Sequence, residues 1–381
     1  MLNQISKSQL DSLRLWYLVQ HSLSSYQQLI HFFGSAEQAT TPKNLQQWSK
    51  LKLHKNHVQR AEQFQQASEQ KNFQSMLDCL IKHCDFICLA EDSNYPAQLR
   101  PYADKPPILF GQGNLFNLSQ PQIAIVGSRK ASPHGLQISY DFAYYLAEKG
   151  FFITSGLAQG IDQAAHAAGI KHQKTIAVMA TGIEQTYPAA HVELRQQIVA
   201  EGGCVITEFL PFTKPLQHNF PRRNRIVSGL SLGVLVAEAA LESGSLITAK
   251  LAAEQGKQIF AIPGHIYSEY HRGCHQLIRE GATLVDHPEQ IIEDLALPTQ
   301  WQIQQQDSLT AATTSDIPEH LQTLYQQLDW VGQDLDTLAS KFTMTIDELT
   351  AQLMELELLG LCLQQAGRYS RCRAATAPCF S

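Results

Sequence analysis

A chain of 381 residues, 44% hydrophobic and 17% charged, is long enough for more than one compact unit with a sizeable core, and its formal net charge of −6 excludes a protein coated in basic surface. No apolar run reaches the roughly 18 residues of a membrane span. The start, MLNQISKSQLDSLRLWYLVQ, lacks the order of a secretory leader, so a cytoplasmic protein with no membrane partner is expected.

Leu10, Leu13, Leu15, Tyr17 and Leu18, then Leu29, Ile30 and Phe33, recur near helical spacing and stop at Gly34, which predicts a small helical domain over 1–84. Its end carries Cys79, His83, Cys84 and Cys88, whose spacing fits no zinc ribbon or finger. The eight cysteines form no Cys-x-x-Cys pair and read as reduced thiols, with no metal expected. The stretch from Asn94-Tyr95-Pro96 to Asp104-Lys105-Pro106-Pro107 is rich in breakers of regular structure.

From Ile123 to about Leu295 short β-rich runs alternate with helical segments. The strand candidates are 123–127, 151–156, 175–180, 204–209, 232–239, 258–263 and 283–286. That alternation predicts an α/β fold with a Rossmann-like, doubly wound parallel sheet, over 85–296. Residues 297–317, QIQQQDSLTAATTSDIP in their later part, cannot build a core and read as a linker. Three helices and a short hairpin over 318–373 follow the winged-helix order. The helix TIDELTAQLMELELL is acidic, a poor reader of duplex DNA and better suited to contact protein. The tail, 374–381, is expected to be disordered.

In an open parallel sheet, ligands sit beyond the carboxyl ends of the strands, where loops and helix N-termini expose amides. After the first run come Gly127, Ser128 and Arg129: a glycine for close approach, a hydroxyl donor and a planar fork for phosphate. After the second, Gly156 and Gly160 free the loop, and Asp162 can cap or orient the following helix. Ser243 and Gly244 open the turn before LITAK. Each alone is more often just a tight turn; together they form a phosphate-binding rim. Neither G-x-G-x-x-G nor G-x-x-x-x-G-K-[ST] occurs, so no nucleotide cofactor, hydride transfer or ATP hydrolysis is expected.

The segment HNFPRRNRIVSGLS, 218–231, is the most telling. No acidic residue stands between Glu208 and Glu238, whereas Lys214, Arg222, Arg223 and Arg225 do. Cations at a helix start oppose the dipole, so three arginines there imply an anionic partner rather than simple solvation. Residues about 100° apart cannot all face that partner, and at least one is expected to meet an internal carboxylate or another subunit. Phe220 offers a face for base stacking, with ordinary core packing an equal alternative. His166 reads as a packed histidine rather than a metal ligand. Glu238 and Glu242 have no nucleophile beside them, so no catalytic residue is assigned.

The runs IAIVGSRKAS, TSGLAQGIDQAAH, AVMATGIEQTYP, FPRRNRIVSGLS, VAEAALESGSLITA and IPGH resemble the DNA-processing protein A (DprA/Smf) family in order and spacing over about 95–290. The resemblance implies an extended Rossmann fold, a helix-hairpin-helix-like (or SAM-like) N-terminal domain, a homodimer, and a single-stranded DNA-binding, non-enzymatic protein that loads RecA recombinase during natural transformation. Carried onto this chain, the pocket would use Gly127, Ser128, Arg129, Ser155, Gly156, Gly160, Phe220, Arg223 and Arg225. Lys250, past the Ser243–Gly244 turn, is a weaker addition. Two departures stand out: VQHSLSSYQQ lacks the family's Gly-x-Gly turn, and Gly273-Cys274-His275 stands where the family has Gly-x-Asn. The sheet-edge reading predicts sequence-independent binding with about four phosphate contacts per protomer. The competing class is a nucleoside-monophosphate phosphoribohydrolase on a similar core, but the segment at 242–248 lacks that motif's glycine repeat and following acid.

Overall fold

The computed structural model describes residues 5–295, 318–328, 333–339, 342, 344–359, 361–365 and 368–371. The expected linker over 297–317 and tail over 374–381 lie outside these. The chain divides into two compact units, 1–300 and 301–381.

The first unit opens with α1 (Lys7–Leu18), α2 (Leu23–Phe33), the short α3 (Ala36–Ala39) and α4 (Pro42–Leu45), α5 (Lys55–Gln63) and α6 (Ala67–His83). Ser6 starts α1 through a reciprocal cap: its hydroxyl accepts from the Gln9 amide and the Gln9 side chain accepts from the Ser6 amide. Gly34 ends α2 in the left-handed region, φ +85°. Leu13, Trp16, Leu29 and Leu80 of these helices pack into one core with Ile108, Phe110, Ala177 and Val205 of the sheet. The helices therefore cover part of a sheet face, each large side chain contributing about 1.5–3 kcal/mol by burial.

Among the described residues the sheet comprises β1 (Phe86–Leu89), β2 (Ile108–Gly113), β3 (Gln122–Gly127), β4 (Phe152–Ser155), β5 (Thr175–Val178), β6 (Cys204–Thr207), β7 (Gly233–Glu238), β8 (Gln258–Ala261) and β9 (Thr283–Leu284). Their order is β1-β2-β6-β5-β4-β3-β7-β8-β9. Pairings from β3 to β9 are parallel, and each of these strands falls on one of the apolar runs that predicted it. The sequence reading missed β1 and β2, which pair antiparallel with each other, β2 also pairing antiparallel with β6. The chain moves outward from β3 to β6, then returns to place β7 on the other side of β3. The switch point is between β3 and β7.

Helices α7 (Pro133–Glu148), α8 (Ile161–Ile170), α9 (Val192–Ala200), α10 (Asn219–Leu230), α11 (Ser245–Glu254), α12 (Arg272–Arg279) and α13 (Pro288–Leu295) complete the unit. Alternate strand residues serve opposite faces: Ala124, Val126 and Val236 pack with Ile226 and Leu230 of α10, while Ile123, Ile125 and Leu235 pack with Phe142 and Leu146 of α7.

The second unit contains α14 (Glu319–Gln327), α15 (Leu335–Ala339), α16 (Ile346–Leu358) and a small sheet of β10 (Gln333–Asp334), β11 (Cys362–Gln365) and β12 (Arg368–Arg371) in the order β10-β12-β11. Leu321, Leu324, Leu338, Leu349, Leu353 and Leu356 form its core. This is the predicted order of three helices and a hairpin wing.

Candidate nucleic-acid interface

The loops beyond β3, β4 and β7 meet at the switch point. A Cβ on Gly127 would lie 2.5 Å from Ile161 Cγ1 and 2.7 Å from the Glu238 carbonyl oxygen, so no larger residue fits where β3, α8 and β7 converge. The Ser128 amide donates to the Glu238 carbonyl at 2.7 Å, tying the β3 and β7 loops together. The Ser128 carbonyl accepts from Ile161 N at 3.2 Å, and Gly160, at φ +79°, has no room for a Cβ against the same carbonyl. Rim rigidity thus comes from backbone approaching backbone. Arg129 and Lys130 project from it, exposed.

Arg129 extends over the Phe220 ring, its Cζ 5.2 Å from the centroid, and Tyr187 packs on Phe220 from the side at 5.5 Å. Phe220 is half-buried and Tyr187 exposed, so the group presents a cation and aromatic surface together to solvent. Tyr187 was not singled out from sequence; its signal was an aromatic next to Pro188 in the loop beyond β5.

The arginines of α10 are all held from within. Arg222 and Arg225, three apart and hence on one helix face, share the carboxylate of Glu208, which is fully buried. Arg222 donates Nε and Nη2 at 3.1 Å each, and Arg225 donates Nη2 at 2.5 Å. Asp104 approaches Arg225 Nε at 3.9 Å. Arg223 points elsewhere and donates Nη1 to the carbonyls of Gly156 and Val178, at the ends of β4 and β5. Its guanidinium lies against Gly156, leaving no space there for a side chain. Burial lowers the Arg223 pKa to about 10, opposed by Asp162 and assisted by Arg129. Burial raises the pKa of Asp162, against the pull of Arg223 and the amides of Ala158 and Gly156. Its carboxylate accepts from the Gly156 amide at 3.0 Å, so it ties the preceding loop to the first turn of α8, whose cap position is Gly160.

The other predicted residues separate. Ser155 is buried and donates Oγ to the Ile125 carbonyl at 2.6 Å, a tie between β4 and β3. Gly244 is exposed at the N-terminus of α11, and Ser243 Oγ lies 2.7 Å from Ser245 Oγ. Lys250 lies away from the rim: with Lys257, Gln276 and Glu280 it lines a cleft between α11 and α12 that reaches Gln258, the starting end of β8. Sequence reasoning used Glu208 only to bound the basic window, although it is the carboxylate that neutralises it.

Glu238, fully buried, accepts from the Ser132 amide at 2.9 Å and Ser132 Oγ at 2.6 Å, so its carboxylate fixes the start of α7. Among the described residues no group of three or more His, Cys, Asp or Glu side chains is placed to hold a metal ion. Cys84 and Cys88 are buried thiols, and burial pushes Cys84 up to about 12. No helix among the described residues is long and apolar enough to cross a membrane.

The family of DNA recombination-mediator protein A matches residues 86–296, and the DprA winged helix domain matches 308–368. Protein Smf of Escherichia coli K12 is 39% identical over 307 residues, covering 80% of this chain and 82% of that protein. DNA processing protein DprA of Streptococcus pneumoniae R6 is 44% identical over 204 residues, 53% of this chain and 72% of the relative. The X-ray structure of the Streptococcus pneumoniae protein aligns at TM-score 0.63 with 34% identity, covering 76% of this chain and 98% of that one. DNA processing protein A of Helicobacter pylori, whose structure is described for its single-stranded DNA binding mode, aligns at TM-score 0.50 with 29% identity over 55% of this chain and 95% of that one. With this fold, these motifs and these relatives, the chain belongs to the DNA recombination-mediator protein A (DprA/Smf) family.

Proposed function

We propose that this chain binds single-stranded DNA without sequence choice along the carboxyl edge of its sheet, and serves recombination by handing that strand to RecA. The DNA-processing role belongs to the family; the strand, its path and the recombinase are our reading. The observation that carries it is the cluster of Arg129, Phe220 and Tyr187 at the switch point, which joins an exposed cation to aromatic faces. Phosphates select the cation, and stacking on the rings is worth about 1–3 kcal/mol per base while tolerating any base. Arg223 and Asp162 form a buried floor beneath the Gly156–Gly160 loop, and Ser128 and Gly160 supply backbone to the rim. We read the protein as a cytoplasmic homodimer and a binding protein rather than an enzyme: the buried acids of the rim are committed, Glu238 to Ser132 and Asp162 to the Gly156 amide.

Because Arg222, Arg223 and Arg225 are internally committed, we assign the phosphate contacts to the exposed cations Arg129, Lys130 and Lys214. Three contacts, rather than the four expected from sequence, give a slope of about −2 in log affinity against log salt. Fluorescence anisotropy with labelled oligo-dT at several salt concentrations measures it. Arg129→Ala should lower the affinity at least tenfold and flatten the slope by about 0.7. Equal binding by the variant would place the strand elsewhere. Transfer of the strand is checked by RecA filament formation on oligo-dT, which wild type should accelerate and Arg129→Ala should not.

A further inference from the structure

The face of α16 turned away from its own core is apolar. Leu349, Leu353 and Leu356 point inward and are fully buried. On the opposite side, Ala351, Met354 and Leu358 form a stripe, Met354 at 60% and Leu358 at 89% exposure. Helical geometry puts residues 351, 354 and 358 on one line, three and four apart. An exposed leucine is ordinary by itself; one continued by an exposed methionine and an alanine on the same helix line marks a contact surface.

Acids border the stripe on both sides: Glu357 on one, Glu348 and Glu355 on the other, with Asp347 near its start. No Lys or Arg occurs in α16. The acids are held in place: Glu348 accepts from Thr345 N at 2.9 Å, Glu355 lies 3.0 Å from His320 Nε2, and Glu357 accepts from Gln364 N at 3.3 Å. In a winged-helix module this is the helix position that enters a DNA groove, and here phosphates would meet carboxylates. Two copies placed stripe to stripe would align acid rims, a like-charge arrangement.

We infer that α16 is a docking surface for a basic amphipathic helix of a partner protein, whose apolar residues cover Met354 and Leu358 while its Lys and Arg side chains meet the acid rims. The helix-on-helix mode needs anchors at this spacing and a charge ring of opposite sign. This stands independently of the sheet-edge DNA reading.

Met354 is its own reporter. In full-length protein labelled with ¹³C-methyl methionine, the signal that disappears in Met354→Leu assigns it, and buried Met76 and Met179 serve as internal references. The probes are a fourteen-residue Leu/Lys amphipathic peptide, its Leu/Glu counterpart and a duplex oligonucleotide. The Met354 methyl should shift with the Leu/Lys peptide alone. Leu358→Asp should weaken that binding at least tenfold, and Glu355→Lys with Glu357→Lys should transfer it to the Leu/Glu peptide, oligo-dT binding remaining unchanged in both. Three results overturn the inference: a shift with duplex DNA, a shift on raising protein concentration alone, which marks self-association, or no Met354 shift at millimolar Leu/Lys peptide.

Discussion

At Glu208 two guanidinium groups share one carboxylate that water does not reach, and the donors at 2.5 and 3.1 Å leave neither oxygen idle. Withdrawing one member of such a group costs more than the group itself contributes, because a buried charge is left unpaired. Glu208→Gln should therefore lower unfolding stability by about 3–5 kcal/mol in urea titrations. Arg129→Ala, at an exposed position, should leave the urea midpoint where it is. The contrast separates arginines that build the pocket from the one that offers itself to a ligand. Helical geometry made part of this legible: the three could not all face one partner, and an internal carboxylate or another subunit was expected for at least one. The carboxylate's identity was not legible, because it stands just beyond β6, at the end of a different element.

Elements that bury both faces announce themselves, and β3 to β8 appear in the sequence as near-continuous apolar runs. Strands β1 and β2 do not, since they lie outside the alternation of strand and helix and the connection from Leu89 to Ile108 carries Asp, Asn and Pro rather than a crossover helix. Their antiparallel pairing matters, because it extends the sheet beneath the N-terminal helices. Trp16 shows how closely these layers join: its indole Nε1 donates to the Glu208 carbonyl at 3.1 Å, and His21 Nε2 accepts from the Leu210 amide at 3.0 Å. Trp16→Ala should lower stability by about 3–5 kcal/mol through lost packing and an orphaned carbonyl. Helices and sheet should still unfold together. Circular dichroism for the helices and hydrogen exchange at β5 and β6 amides should report the same midpoint; a split transition would mean that the helices form a separate cooperative unit.

For the whole molecule, buried histidines set a lower limit on working pH. Burial holds His21 and His166 at about 3, below their ordinary 6.5, with the Arg222 charge assisting at the first and Arg223 at the second. Between pH 6.5 and 3 the unfolded chain therefore binds two protons that the folded chain refuses. Stability is complete above 6.5 and falls with acid by about 1.4 kcal/mol per pH unit for each proton. Asp162 acts in the opposite sense, since burial raises its pKa above the ordinary carboxylate value and its protonation in acid returns some stability. His21→Gln keeps an acceptor for the Leu210 amide and removes one titrating group. Its melting temperature should fall less than that of wild type between pH 7 and pH 5, a comparison that differential scanning calorimetry makes directly.

The Arg222 guanidinium lies 5.7 Å from the Trp16 ring and 5.4 Å from Phe209 while it grips Glu208. An indole with a fixed charge above it emits at a wavelength set by that charge, so the arginine segment carries a built-in optical probe. A strand that drew Arg222 toward phosphate would remove the charge and shift the emission of Trp16; one held by Arg129 alone would leave the spectrum unchanged. With Trp48, Trp301 and Trp330 replaced by phenylalanine, an unlabelled oligonucleotide titration distinguishes a preformed pocket from one that rearranges to receive its ligand.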